Sequence, residues 1–301
     1  MITPPYLKAG DKVGIAAPGR KISEDDFKAA AEIMGSWGVE VVPSGNLFSG
    51  AHGYLAGSDI ERLNDFQNFI DDPDIKAIIC ARGGYGTTRI LDDINFSRLQ
   101  KNPKWIVGFS DITAMHLRLA KLGISSIHAT MPVLFPRSDS RPSVESLWSA
   151  LKGDQKVLFV PPDKTNRHGV ATGQVIGGNL SLIADAAGTS NDPDTSGKIL
   201  VLEEIDEYTY KIDRMLMHLK RSRKLDDLAG LVIGHMTDIK EPELPFGQTV
   251  REIIMEKVSD RRYPVSFNFP IGHENPNLAW IHGSLMSLTV AENGSQLAPA
   301  S

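Results

Sequence analysis

Residues 105–123 read WIVGFSDITAMHLRLAKLG. The opening run, Trp105 to Phe109, is rich in β-branched and aromatic residues and reads as a buried strand. Ile112, Met115, Leu119 and Leu122 then recur at helical spacing. Ser110 stands at the join. A strand that passes directly into a helix is the repeating unit of a parallel α/β sheet.

The same alternation extends towards the N-terminus. DKVGIAAPG (11–19), VEVVPSG (39–45) and IKAIICA (75–81) read as further strands. Two helices are expected between them. One is SEDDFKAAAEIMGSWG, with Ser23 as N-cap and Gly38 as its stop. The other spans residues 58–71, with Ile60, Leu63, Phe66 and Ile70 facing inward. RPSVESLWSALKG, from residue 141, reads as one more helix. The rhythm then changes. Strand-like VATGQVIGG, KILVLEEID, GLVIGHMTDI, VSFNFP and LAWIHGSLMSLTV dominate residues 170–290. Only YKIDRMLMHLKRSRKLDD and TVREIIMEKVSD read as helices among them. The expected fold is α/β, with an N-terminal parallel-sheet domain over residues 1–150 and a β-rich α/β domain over residues 165–301. A linker is expected at about 151–164.

Whole-chain properties exclude several function classes. The 301 residues carry a net charge of −5, so no basic footprint points to nucleic acid or an anionic membrane. KRSRK (220–224) reads as a solvated helix end, where cations suit the dipole. Cys80 is the lone cysteine and reads as a core thiol, so neither a disulfide nor a CxxC metal site is expected. No run approaches the ~20 apolar residues of a membrane span, and no signal peptide is read at the N-terminus. The expected compartment is the cytoplasm.

Three features could carry chemistry. Ser110 on a strand-to-helix corner has the arrangement of a nucleophile elbow, which exposes Oγ beside unpaired helix N–H groups. Gly108-Phe109-Ser110-Asp111-Ile112 lacks the usual second glycine, and a serine there also serves as a plain N-cap. RGGYG (82–86) follows a strand, so its glycines permit close backbone approach to an anion. GGYGT is similar to the GGDGT loop of NAD kinases and lipid kinases, with tyrosine in place of the acidic residue. Finally, Glu203 and Glu204 end an apolar strand, where alternation points them to opposite faces, one towards a site and one towards solvent. A hydroxyl nucleophile needs a base and an orienting group. Among the histidines, His116 and His218 lie within helices, whereas His273 sits in the Gly-Pro-Asn loop of FPIGHENPN. No metal motif is present, and no cofactor is expected.

Six blocks, in order, resemble the LD-carboxypeptidases of peptidoglycan recycling, a serine-peptidase family that includes microcin C immunity proteins. They are IAAPG (15–19), ARGGYGTTRILDDI (81–94), VGFSDITAMH (107–116), GGNLSLI (177–183), LVLEEIDEYTYKIDRML (200–216) and FPIGHENPN (269–277). The resemblance implies a Ser-His-Glu triad of Ser110, His273 and Glu203. It also implies an oxyanion hole formed by the backbone N–H groups of Gly84 and Asp111. Glu203-Glu204 stands where the family has Glu-Asp, which leaves two glutamates as orienting candidates. His282 stands as a rival base, and Lys211 replaces a usual arginine. The implied substrate is a muropeptide tetrapeptide cut before its terminal D-alanine. A carboxypeptidase must bind a free carboxylate, and Arg82 is the candidate cation. The expected partner is this small peptide, without nucleic acid or membrane; a homodimer stays open. Three alternatives remain: an immunity-type serine amidase on a peptidyl-nucleotide, a kinase-like phosphate binder, and a catalytically silent peptide-binding protein.

Overall fold

A computed structural model describes residues 1–49 and 53–300. The chain divides into two compact units: residues 1–156 with 278–282, and residues 157–277 with 283–301.

The first unit is built on a six-stranded sheet. Its strands run, edge to edge, Trp280–His282, Ser126–His128, Trp105–Gly108, Ile75–Cys80, Lys12–Ala16 and Glu40–Pro43. The last five are mutually parallel, and Trp280–His282 pairs antiparallel with Ser126–His128. Val13, Ile15, Ala77, Ile79, Trp105, Val107 and Ile127 are buried in one core. From Lys12–Ala16 the chain adds Glu40–Pro43 on one side and then Ile75–Cys80, Trp105–Gly108 and Ser126–His128 in turn on the other, so the strand order reverses between Lys12–Ala16 and Ile75–Cys80. The crevice outside such a reversal is where doubly wound sheets bind ligands. The loops leaving it are Ala17-Pro18-Gly19-Arg20 and Ala81-Arg82-Gly83-Gly84.

Capping follows the sequence. Ser23 caps helix Glu24–Gly35 through the Asp26 N–H. Ser58 and Glu61 form a capping box on helix Asp59–Asp71. The buried face of that second helix differs from the expected one. Ile60 is 70% exposed, while Arg62, Asp65, Phe66, Phe69 and Ile70 are buried. Polar partners turn the helix. Arg62 donates to the Pro18 and Gly86 carbonyls, and Asp65 accepts from the backbone and side chain of Asn46. A buried charge is tolerated only with such partners.

The second unit holds a seven-stranded sheet in the order Val265–Ser266, Gly230–Thr237, Ile199–Ile205, Gly169–Asn179, Leu285–Ala291, Gly294–Pro299 and Leu158–Val160. The first four strands are parallel and the rest antiparallel. Helices Leu180–Ala186, Thr209–Arg221 and Val250–Lys257 accompany the parallel part.

Two boundaries depart from the sequence reading. Residues 151–164 do not form a plain linker, because Leu158–Val160 is the edge strand of the second sheet. The closing run LAWIHGSLMSLTV is not one strand of the second domain. Gly283, at φ 88, breaks it in two. Trp280–His282 joins the first sheet and Leu285–Ala291 the second.

Candidate active site

The Ser110 corner is a backbone device. Strand Trp105–Gly108 is wholly buried, and Phe109 continues extended. Ser110 then takes φ 62, a left-handed conformation costing a non-glycine residue about 1–3 kcal/mol. A 3₁₀ turn, Ser110–Ile112, precedes helix Thr113–Lys121. Phe109 and Ile112 occupy the N-cap positions of these two elements, and neither makes a side-chain cap hydrogen bond.

Side chains around the turn hold it in place. A Cβ on Gly108 would fall 2.7 Å from Ile112 Cγ1, so the strand needs glycine there to pack against its own turn. The Gly108 carbonyl lies 2.9 Å from His116 Nε2, and His116 Nδ1 lies 2.8 Å from Ser126 Oγ. A carbonyl only accepts, so His116 carries its proton on Nε2 and accepts from Ser126. Burial lowers the His116 pKa to about 4, which keeps the ring neutral. The Asp111 carboxylate accepts from the Thr87 N–H at 3.0 Å and the Thr87 hydroxyl at 2.7 Å. Burial raises the Asp111 pKa, against those hydrogen bonds. These bonds tie the serine corner to the Gly-rich turn.

That turn follows strand Ile75–Cys80. A Cβ on Gly83 would sit 3.0 Å from Ser110 Cβ and 3.2 Å from its Oγ, so Gly83 packs directly on the serine side chain. Gly84 has φ 111 and Gly86 φ 137, both conformations that favour glycine. Arg62 grips the Gly86 carbonyl at 2.9 Å. Arg82 is half-buried. Cys80 is fully buried and its thiol pKa is pushed up by that burial, so it is not a thiolate nucleophile.

In the second unit, Glu203 and Glu204 end strand Ile199–Ile205, and both are buried, at 0% and 2% exposure. The expectation that one meets solvent does not hold, because both faces of this strand end are covered. Their roles divide as alternation requires. Glu203 Oε2 lies 2.7 Å from His273 Nδ1. Glu204 instead accepts from Asn179 Nδ2, the Ser181 N–H and hydroxyl, and the Ile205 N–H. Burial raises the Glu204 pKa against these donors.

Glycines make room for the Glu203–His273 pair. A Cβ on Gly272 would lie 3.0 Å from Glu203 Cβ and Oε2, and one on Gly234 would lie 3.3 Å from Glu203 Cβ. The Gly272 N–H donates to Asn277 Oδ1 at 3.0 Å, closing the loop that carries His273. Burial pulls the His273 pKa down, but the Glu203 charge and hydrogen bond outweigh it, and the net shift is upward. With Nδ1–H donated to Glu203, the neutral ring offers Nε2 as its base atom. His235 stands beside this pair and accepts the Glu274 N–H at Nδ1, 3.2 Å away. His282 is in neither arrangement. It is fully buried in Trp280–His282, stacked on His116 at 5.5 Å and Trp280 at 5.4 Å.

The structure thus groups Glu203 with His273, and Ser110 with Gly83, Asp111 and Thr87. Thr87 and Arg62 were not singled out from the sequence, His116 was read only as a helix residue, and Gly83 only as part of the glycine turn. For Arg62 the apolar pattern gave no signal, because the periodicity of its helix ranks it as surface although it is buried. Among the described residues, no group of three or more His, Cys, Asp or Glu side chains is placed to hold a metal, and no helix is long and apolar enough to cross a membrane.

Two family profiles match the chain: the LD-carboxypeptidase N-terminal domain over residues 13–129, and the LD-carboxypeptidase C-terminal domain over residues 172–288. This chain belongs to the LD-carboxypeptidase family. It is accordingly a serine-type peptidase. A relative from Bacillus subtilis (strain 168), named "Probable murein peptide carboxypeptidase", is 32% identical over 96% of this chain and 92% of its own. Among solved structures, muramoyltetrapeptide carboxypeptidase from Oxalobacter formigenes is 31% identical, with a TM-score of 0.85 over 96% of this chain and 100% of that one. The microcin C7 self-immunity protein MccF of Escherichia coli is 25% identical over 90% of this chain and 88% of its own. The two-sheet α/β architecture is that of the LD-carboxypeptidase fold.

Proposed function

We propose that this enzyme hydrolyses the L,D-peptide bond that releases terminal D-alanine from muropeptide tetrapeptides. Ser110 is the nucleophile, His273 its base and Glu203 the orienting carboxylate. The single observation that carries the reading is Ser110 at φ 62, on the turn between a buried strand and a helix. Such strain persists where it serves a site. The 2.7 Å contact of His273 Nδ1 with Glu203 supplies the remaining half of the chemistry.

In this reading, His273 Nε2 takes the Ser110 hydroxyl proton as Oγ attacks the scissile carbonyl. Glu203 holds the imidazole tautomer and stabilises its cation. The N–H groups of Gly84 and Asp111 receive the oxyanion, a contribution of about 3 kcal/mol for each donor. His273 then protonates the departing D-alanine amine. Water, deprotonated by the same histidine, hydrolyses the acyl-enzyme and restores Ser110. Arg82 takes the substrate's terminal carboxylate.

Relatives named for murein peptide and muramoyltetrapeptide cleavage support this substrate class. The test is mass spectrometry of a tetrapeptide digest by wild type and by Ser110→Ala. Wild type should yield tripeptide plus alanine, and the variant should yield neither while remaining folded by circular dichroism. Cleavage of a peptidyl-nucleotide amide with the tetrapeptide left intact would move the reading to an immunity-type amidase.

A further inference from the structure

Arg20 leaves the first strand through Ala17-Pro18-Gly19, on one side of the strand-order reversal, and Arg82 leaves the third strand on the other side. Arg20 lies across the glycine turn. A Cβ on Gly84 would fall 2.3 Å from Arg20 Cδ and 2.8 Å from its Cγ. The Arg20 guanidinium is stacked 4.5 Å from the Tyr54 ring centroid, and the Tyr54 hydroxyl lies 3.0 Å from that same Gly84 Cβ position. Cation–π stacking of this kind holds a guanidinium plane in place without using up its N–H donors. Gly84, already glycine for its φ of 111, leaves the space that Arg20 fills. The adjoining residue, Gly83, packs on Ser110 Oγ.

The two guanidinium groups repel each other. Arg82 is depressed by burial first and by Arg20 next, with Arg137 adding to the repulsion. Among the described residues, no carboxylate makes an ion pair with Arg20, Arg82 or Arg137. Asp26 acts on Arg82 from a distance, and its carboxylate is engaged by the Ser23 hydroxyl. Like charges gathered without a counter-ion are costly unless a ligand supplies it.

We propose that Arg20 is a specificity-determining residue that joins Arg82 in a two-guanidinium clamp for the substrate's terminal carboxylate. This inference rests on the proposed carboxypeptidase reading. The chemistry of the substrate requires the clamp to be where it is. In a C-terminal residue, the carboxylate carbon is three bonds from the scissile carbonyl carbon, through the amide nitrogen and Cα. A cation for that carboxylate must flank the nucleophile, and the Gly83–Gly84 segment connects Ser110 to Arg20 and Arg82 in that way. A single arginine binds a carboxylate in a two-bond fork, and a second one satisfies the remaining lone pairs. An amide or ester at the chain end offers no such charge, so the clamp selects the free acid.

The test is steady-state kinetics of wild type, Arg20→Ala and Arg20→Lys on a tetrapeptide acid and on its C-terminal amide. Arg20→Ala should lower kcat/KM for the acid about 10- to 150-fold, the worth of a hydrogen bond to a charged group, with most of the change in KM. The amide should lose little. Arg20→Lys should recover part of the loss, and added ethylguanidinium should partly rescue Arg20→Ala on the acid alone. Equal losses on acid and amide, or no loss on the acid, would overturn the clamp. A wild-type enzyme that leaves the acid intact would overturn the proposed function itself.

Discussion

Ser110 is held by its backbone, at φ 62 on a turn crowded by Gly83 and Ile112, whereas His273 is held by its side chain, through a 2.7 Å bond to a fully buried glutamate. Each lies in its own compact unit. The serine device keeps an uncharged hydroxyl in a fixed place and depends on shape: small residues nearby and a neutral His116 on the Gly108 carbonyl. The histidine device depends on charge: a carboxylate that raises the imidazole pKa against burial. Substitutions that change volume should damage the first, and substitutions that change charge should damage the second.

The largest effect is expected at Ser110 itself. Ser110→Ala should reduce turnover about a millionfold, as loss of a nucleophile does in serine peptidases, with unchanged thermal unfolding. Residual activity near wild type, in protein purified from a host lacking such enzymes, would break the comparison at its root. Glu203→Gln should follow, with kcat lowered about ten-thousandfold because the amide no longer enforces the tautomer. Glu204→Gln should spare kcat by comparison. Its NH₂ group would face donors such as the Ser181 N–H, so it should instead cost about 1–3 kcal/mol in denaturant unfolding. A reversed ranking of the two glutamates in kcat would exchange their roles. Volume is tested at Gly83. A methyl group there would meet Ser110 Oγ at 3.2 Å and Met131 Cε at 3.2 Å, so Gly83→Ala should lower kcat about ten- to a hundredfold through misplacement of the hydroxyl.

The shape-dependent half was the more legible of the two in the sequence. A β-rich run abutting a helical pattern at Ser110, and a Gly-rich turn after a strand, are local patterns. The left-handed φ of Ser110 is what the structure adds to them. The charge-dependent half was legible only in part. Strand alternation separates Glu203 from Glu204, but burial of both comes from packing on both faces of the strand, which no local pattern encodes. The pairing of Trp280–His282 with Ser126–His128 joins residues about 150 positions apart, so the run read as a continuation of the second sheet. Helix Asp59–Asp71 was misoriented for a related reason. Apolar periodicity ranks Ile60 as core and Arg62 as surface, yet Arg62 is buried by carbonyl acceptors that the fold delivers from Pro18 and Gly86. Arg20 left no trace in the pattern at all, because its significance lies in what it covers.

The smallest effect expected is a displacement along the pH axis, and it separates the two devices most cleanly. In the proposed mechanism His273 must be neutral at Nε2, so kcat/KM should rise with pH through the free-enzyme pKa of this histidine. Burial alone would place that acid limb below the ordinary value near 6.5, but the Glu203 charge and hydrogen bond bring it above. Glu203→Gln removes the charge and leaves the burial, so the limb should move to lower pH even as kcat falls. Gly83→Ala changes shape alone and should leave the limb where it was. Stability runs the other way. A histidine whose folded pKa is raised contributes stability that is fully present below its unfolded pKa, and this is lost as pH rises through the folded value. Wild type should therefore lose this part of its unfolding free energy across the same window in which activity grows, and Glu203→Gln should not. Chemical denaturation and kcat/KM, measured between about pH 5 and 9, check both arms. An acid limb in Glu203→Gln unchanged from wild type would mean that Glu203 does not set the charge state of the base.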